Sequence, residues 1–252
     1  MQMVFLTALG VGGASIIGAV LGFVFKNISH KFSDIVLAFA AGVMLAAAVI
    51  GLILPSLEYG HGPLAVPVAA AGIFAGAYCL NLMDKLVPHL HRLAGVDQEN
   101  HPGGTEKLNK VLLFVMAIAI HNLPEGIAAG VGFGTGNVSE AMTIAAGIAL
   151  QNIPEGMVII APMLAAGISH KRTFIAAMAT GIVEVVGTLL GYFAVSVSHA
   201  VLPFALAFAG GTMLYVISDE MIPETHHGEV DGVTYALLAG FCLMLAMTYY
   251  LE

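Results

Sequence analysis

Two stretches decide how this chain is read: AIAIHNLPEGIAAG, from Ala117 to Gly130, and GIALQNIPEGMVII, from Gly147 to Ile160. Both are apolar enough for hydrocarbon, yet each carries Asn-x-Pro-Glu-Gly at its centre. The first holds Asn122, Pro124, Glu125 and Gly126; the second holds Asn152, Pro154, Glu155 and Gly156. The residue before the pattern is His121 in one and Gln151 in the other. A histidine, amides and glutamates in a membrane-like run need a physical reason.

The rest of the chain is of the same apolar kind. It has 252 residues, 59% hydrophobic and 10% charged, where a soluble domain carries about 25% charged residues. A run of roughly 20 apolar residues crosses a bilayer as a helix, and there are eight such runs, at about 3–25, 35–57, 64–84, 110–134, 140–166, 172–197, 200–222 and 232–251. The runs are continuous rather than alternating, which excludes barrel strands. The predicted fold class is therefore an all-α membrane protein of eight transmembrane helices, one transmembrane domain over 1–252. The first run lacks a basic leader and a small-residue cleavage site, so it is expected as a retained helix. Cys79 and Cys242 fall inside spans and read as packing residues. A net charge of -8 with no basic patch leaves nothing to bind nucleic acid.

All eight basic residues fall in or beside odd-numbered connections: Lys26 and Lys31; Lys85, Arg92, Lys107 and Lys110; Lys171 and Arg172. Basic residues stay cytoplasmic, which predicts both termini on the extracytoplasmic side of a bacterial inner membrane. The longest connection, 86–109, is rich in Pro, Gly and Asn and carries His89, His91 and His101. It reads as a cytoplasmic loop whose histidines are either incidental or weakly metal-binding. Glycines recur four apart at Gly18/Gly22, Gly72/Gly76, Gly126/Gly130 and Gly187/Gly191. Such pairs let membrane helices approach closely, within the chain or in a homodimer.

Glu125, Glu155 and Glu184 all fall near the middle of their spans. An acidic side chain there costs roughly 2.5–3.5 kcal/mol even on lenient insertion scales, and every basic residue lies near an interface. The compensating positive charge has to be a proton or a bound cation. His121 and Glu125 are i, i+4 and Asn122 and Glu125 are i, i+3, so Glu125 shares a helix face with both. Gln151, Asn152 and Glu155 repeat the arrangement on the next span. Pro124 frees the carbonyl of Ile120, and Pro154 that of Leu150, so both helices are expected to be broken at the midplane. The repeat on antiparallel neighbours predicts a pseudo-two-fold axis in the membrane plane, as in many secondary transporters. Imidazole with carboxylate and amide oxygens suits borderline divalent metals: zinc foremost, then iron, manganese or cadmium. Met44 either fills the core or adds a thioether. Near the end of the seventh span, Asp219, Glu220, Glu224, His226 and His227 form either an exit vestibule or an interfacial cap. Glu58 and His61 stand at the opposite end of the second span, where they suit a metal entrance.

At HNLPEG and QNIPEG, together with the Glu184 position and ISDEMIPETHH, the chain resembles the ZIP (Zrt-, Irt-like protein) family of divalent metal transporters, in its bacterial GufA-type branch. The resemblance implies a 3+2+3 bundle, a binuclear site, and elevator-like alternating access that moves metal into the cytoplasm. It implies one site at Met44, His121, Glu125, Gln151 and Glu155, and a second at Asn122, Glu125, Asn152, Glu155 and Glu184. Some relatives carry a histidine at the place of Gln151 and an aspartate at that of Asn152, so the second site is less anionic here. No prosthetic group and no enzymatic activity are expected. An intramembrane metalloprotease would need HExxH, which is missing. A carrier that uses buried carboxylates as a proton relay would explain the glutamates but not His121 beside two amides.

Overall fold

The computed structural model describes residues 1–25, 30–93, 105–165, 167–197, 199–225 and 232–251. His101, His226 and His227 lie outside the described residues. Among those described, the chain is helical with no strand. α1 is Gln2–Val24. α2 starts as His30–Ala46, widens into a π segment at Ala47–Ile53 and ends as Leu54–Glu58. After a 3₁₀ turn at Gly62–Leu64, α3 is Ala65–Leu93. α4 is Thr105–Gly132, α5 Val138–Ala165 and α6 His170–Val197. α7 starts as Leu202–Val216, widens at Ile217–Met221 and ends as Ile222–Thr225; α8 is Val233–Leu251. Among the described residues, seven helices (α1, α2, α3, α5, α6, α7 and α8) contain a stretch long and apolar enough to cross a membrane. α4 is a 28-residue helix, or about 42 Å at 1.5 Å per residue.

Two expectations change. The loop over 86–109 is shorter, because α3 continues to Leu93 and α4 already starts at Thr105. Hydropathy marks where hydrocarbon ends, and a helix can run on into water. The helices bearing Pro124 and Pro154 are not broken: both stay α-helical throughout. Regular α-geometry is lost instead in α2 and α7, where each π segment stops just short of a proline, Pro55 or Pro223. The N–H missing at each proline leaves the preceding turn free to widen.

Packing divides the bundle. α1, α4, α5 and α6 form one group, with α1 along α5 and α6 and α4 along α6. α2 packs along α8 and α3 along α7, and the π segment of α2 also meets α7. Contacts of α2 with α5 and of α4 with α7 join the two sets. Glycines set the close approaches. A Cβ on Gly18 would overlap the carbonyl of Ile153, one on Gly126 that of Glu184, and one on Gly76 that of Phe208. All four glycine pairs noted in the sequence meet helices of the same chain, so they give no support to a homodimer. Asn137 starts α5 by accepting the N–H groups of Ser139 and Glu140 through Oδ1, at 3.1 and 3.3 Å.

These approaches predict opposite signs for the same substitution. Gly130→Ala drives a methyl into the carbonyl of Thr188, with an overpacking cost of about 1–3 kcal/mol. Gly10 has open space around it, so Gly10→Ala gains about 0.5–1 kcal/mol of helix stability. Thermal melting of the detergent-solubilised protein should show Tm falling for the first and level or rising for the second.

Candidate metal site

The site is built where α4 and α5 face the widened end of α7. A cavity of about 300 Å³ is lined by His121 and Glu125 of α4, Glu155 and Val158 of α5, Leu37 of α2, and Asp219, Glu220 and Glu224 of α7. Helical spacing puts His121 and Glu125 on one face of α4, as the sequence implied. The π segment Ile217–Met221 carries Asp219 and Glu220 into the same space. His121 Nε2 lies 2.6 Å from Glu220 Oε1. His121 is almost wholly buried, whereas Glu220 is 31% exposed, so the pair sits at the boundary between bundle and opening. Asp219 and Glu224 are exposed at the mouth.

Behind the cavity lies a drier layer. Asn122, Glu125, Gln151, Asn152 and Glu184 are all buried, and Glu155 is half-buried. Glu125 has Glu155, Glu184 and Gln151 as its electrostatic neighbours. Glu155 has His121 and Glu220. Glu184 accepts a hydrogen bond from Ser15 Oγ, which stands 3.0 Å from each of its oxygens. Asn152 Nδ2 donates to the carbonyl of Val11 at 3.3 Å. Asn122 Oδ1, Asn152 Oδ1, both oxygens of Glu125 and both polar atoms of Gln151 are buried with no aligned hydrogen-bond partner in the protein. A buried polar atom left so costs about 1–3 kcal/mol. Their chemistry, hard oxygens beside one imidazole, suits a borderline divalent cation. Among the described residues, no three His, Cys, Asp or Glu side chains stand in a metal-ligating array. His121, Glu125 and Glu155 share a cavity, with the amides and Glu184 behind it, rather than a closed coordination shell.

On the far side of Glu125 an apolar layer closes the bundle. Ala128, Ala129 and Val131 of α4 are buried in one cluster with Ile144 and Ile148 of α5, Leu52 of α2 and Leu206 of α7. The exposed lining residues of the cavity, Asp219 and Glu224, stand at the other end, where α7 widens.

Residues 95–248 match the family described as ZIP zinc transporter. The zinc transporter GufA of Myxococcus xanthus is 42% identical over 246 residues, covering 95% of each chain. The chain belongs to the ZIP family. Other relatives include the zinc transporter ZIPB of Bordetella bronchiseptica, 38% identical over 92% of this chain and 76% of that protein. Human zinc transporter ZIP11 is 32% identical over 93% of each chain. The family is one of membrane transporters rather than enzymes.

Against the ZIP reading of the sequence, three placements differ. Met44 is fully buried in the main apolar cluster and does not line the cavity. Glu220 meets His121 at the site itself, and Asp219 and Glu224 line the mouth of the same cavity. Ser15 went unnoticed: one hydroxyl in an apolar helix is a weak signal, and only its position opposite Glu184 gives it meaning. Glu58 and His61 are exposed at the other end of α2, away from this cavity.

Two substitutions separate the dry layer from the opening. Asn152→Asp replaces the amide donor with an oxygen facing the Val11 carbonyl, which should lower stability by about 1–3 kcal/mol. Glu220→Gln removes a partly exposed charge and should cost under about 1 kcal/mol. Parallel thermal melts of the two variants give the comparison.

Proposed function

We propose that this ZIP protein carries zinc across the inner membrane into the cytoplasm through the cavity between α4, α5 and α7. One observation carries the reading: His121, Glu125, Glu155 and Glu220, from three helices, converge on a space whose lining among the described residues includes no Lys or Arg. Buried carboxylates without a basic partner need a mobile cation. The relatives named as zinc transporters support zinc as that cation. Cadmium, iron and manganese suit the same donors less selectively.

The protein crosses the membrane eight times in this reading, with α4 joining the seven other helices in a 3+2+3 order. An inverted pseudo-two-fold relates α1 to α6, α2 to α7, α3 to α8 and α4 to α5. The packing supports it: exchanging these partners turns the α4–α6 contact into α5–α1, and the α3–α7 contact into α8–α2. The shared π segments of α2 and α7 support it as well. Both termini face away from the cytoplasm, since Lys85, Lys171 and Arg172 lie at the end where the cavity opens.

The dehydrated ion is held by His121, Glu125, Gln151 and Glu155. A second ion, or a second position of the same ion, uses Asn122, Glu125, Asn152, Glu155 and Glu184. Release leads past Glu220 to Asp219 and Glu224 at the mouth. Access alternates as the group α1, α4, α5 and α6 moves against α2, α3, α7 and α8. Binding stays moderate because Gln151 and Asn152 add oxygen without charge, which lets the ion leave.

In proteoliposomes loaded with a zinc-sensitive dye, the paired substitution Glu125→Gln with Glu155→Gln should bring uptake down to the level of empty vesicles. Wild-type rates in that variant, at equal protein, reject the assignment. For orientation, single cysteines at positions 2 and 171 in a background lacking Cys79 and Cys242 should differ towards an impermeant maleimide in spheroplasts: the first labels and the second does not.

A further inference from the structure

α1 contributes no ligand to either metal set, yet it makes the two best-defined side-chain hydrogen bonds behind the site. The carbonyl of Val11 accepts from Asn152, and Ser15 Oγ donates to Glu184. Positions 11 and 15 are i and i+4, on one face of α1. Glycine contacts bracket this face and fix its depth. A Cβ on Gly12 would overlap the carbonyl of Gly181 in α6, and one on Gly156 would overlap the carbonyl of Ser15 itself.

The same contacts reveal what Ser15 is. Gly18 of α1 rests on the carbonyl of Ile153, and Gly187 of α6 rests on that of Leu123. Ile153 and Leu123 hold the same place in the two Asn-x-Pro-Glu-Gly motifs. Gly156 rests on the carbonyl of Ser15, and Gly126 on that of Glu184. In α1 the hydroxyl stands three residues before its contact glycine, and in α6 the carboxylate stands three residues before its own. Ser15 therefore occupies in α1 the position that Glu184 occupies in α6, and the two equivalent side chains meet across the site.

We infer that Ser15 is a positioning residue of the rear metal subsite, fixing the carboxylate of Glu184 beside Asn152 through a hydrogen bond between the two repeat-equivalent positions. The inference rests on the zinc reading above. One hydroxyl proton shared by both carboxylate oxygens sets the plane of the group. It leaves the remaining lone pairs of Glu184 towards its other neighbours, Asn152 and Glu155. At the equivalent place a second carboxylate would add another unpaired buried charge, whereas a hydroxyl supplies a donor.

The test is zinc titration of the full-length protein in nanodiscs, by calorimetry with elemental analysis, comparing wild type, S15A, E184Q and the double variant. S15A should weaken zinc binding by about tenfold, as expected for a lost hydrogen bond to a charged group, or remove one bound equivalent. Its metal-free melting temperature should also fall somewhat, because buried Glu184 loses a donor, so the deciding readouts are zinc affinity and stoichiometry of the folded protein. Because Ser15 acts through Glu184, the double variant should bind no more weakly than E184Q alone. Where S15A does not fold, Ser15→Cys keeps the size with a weaker donor and should bind less tightly than wild type. Wild-type affinity and stoichiometry in S15A, or in Ser15→Cys where that replaces it, overturn the inference, as do independent, additive defects of S15A and E184Q. A wild-type protein that binds no zinc overturns the transport reading first, and this inference with it.

Discussion

The structure is organised by carboxylates held in a low-dielectric bundle with no Lys or Arg beside them among the described residues. Glu125 and Glu184 are buried and Glu155 is half-buried. A buried charge is tolerated only when something pairs with it or hydrogen-bonds to it. Each glutamate meets that demand differently. Glu184 has the hydroxyl of Ser15. Glu155 faces His121, which also contacts Glu220. Glu125 has only the neighbouring Gln151 and the cavity. Glu125, the group with the fewest internal partners, thus borders the open space beside Glu155, where a doubly charged guest can stabilise both.

Backbone closeness makes this layer possible. With little hydrophobic driving force between helices in lipid, association depends on packing and on interhelical hydrogen bonds. Gly126 and Gly130 bring α6 onto α4, and Gly18, Gly22 and Gly156 bring α1 onto α5. The same closeness explains why the prolines of α4 and α5 leave those helices regular. Each lies two residues before a glycine, Gly126 or Gly156, that seats a neighbouring backbone directly on the turn. Pro55 and Pro223 follow wider π turns instead, and in α7 that turn is what carries Asp219 and Glu220 into the cavity.

The two sides of the site differ in chemistry. Towards the end of α7, acidic side chains line an opening. Beyond Glu125, alanine, valine, isoleucine and leucine form a closed apolar layer. An ion held between them meets a polar route on one side and a desolvation barrier on the other. That asymmetry is what a carrier needs in any one of its states.

The sequence by itself determined the spans, the paired motifs and the surplus of buried negative charge. Each of these is local: hydropathy is summed along a run, and i, i+4 spacing fixes which neighbours share a face. It was enough to name His121, Glu125 and Glu155, which do share one cavity. Only the tertiary structure decided that Glu220 meets His121, that Ser15 meets Glu184, and that Met44 sits in the apolar core. It also moved the helical irregularity from α4 and α5 to α2 and α7. These outcomes depend on the rotation and depth of each helix against its neighbours. Glycine contacts between distant segments set both, and no stretch of chain read alone contains them.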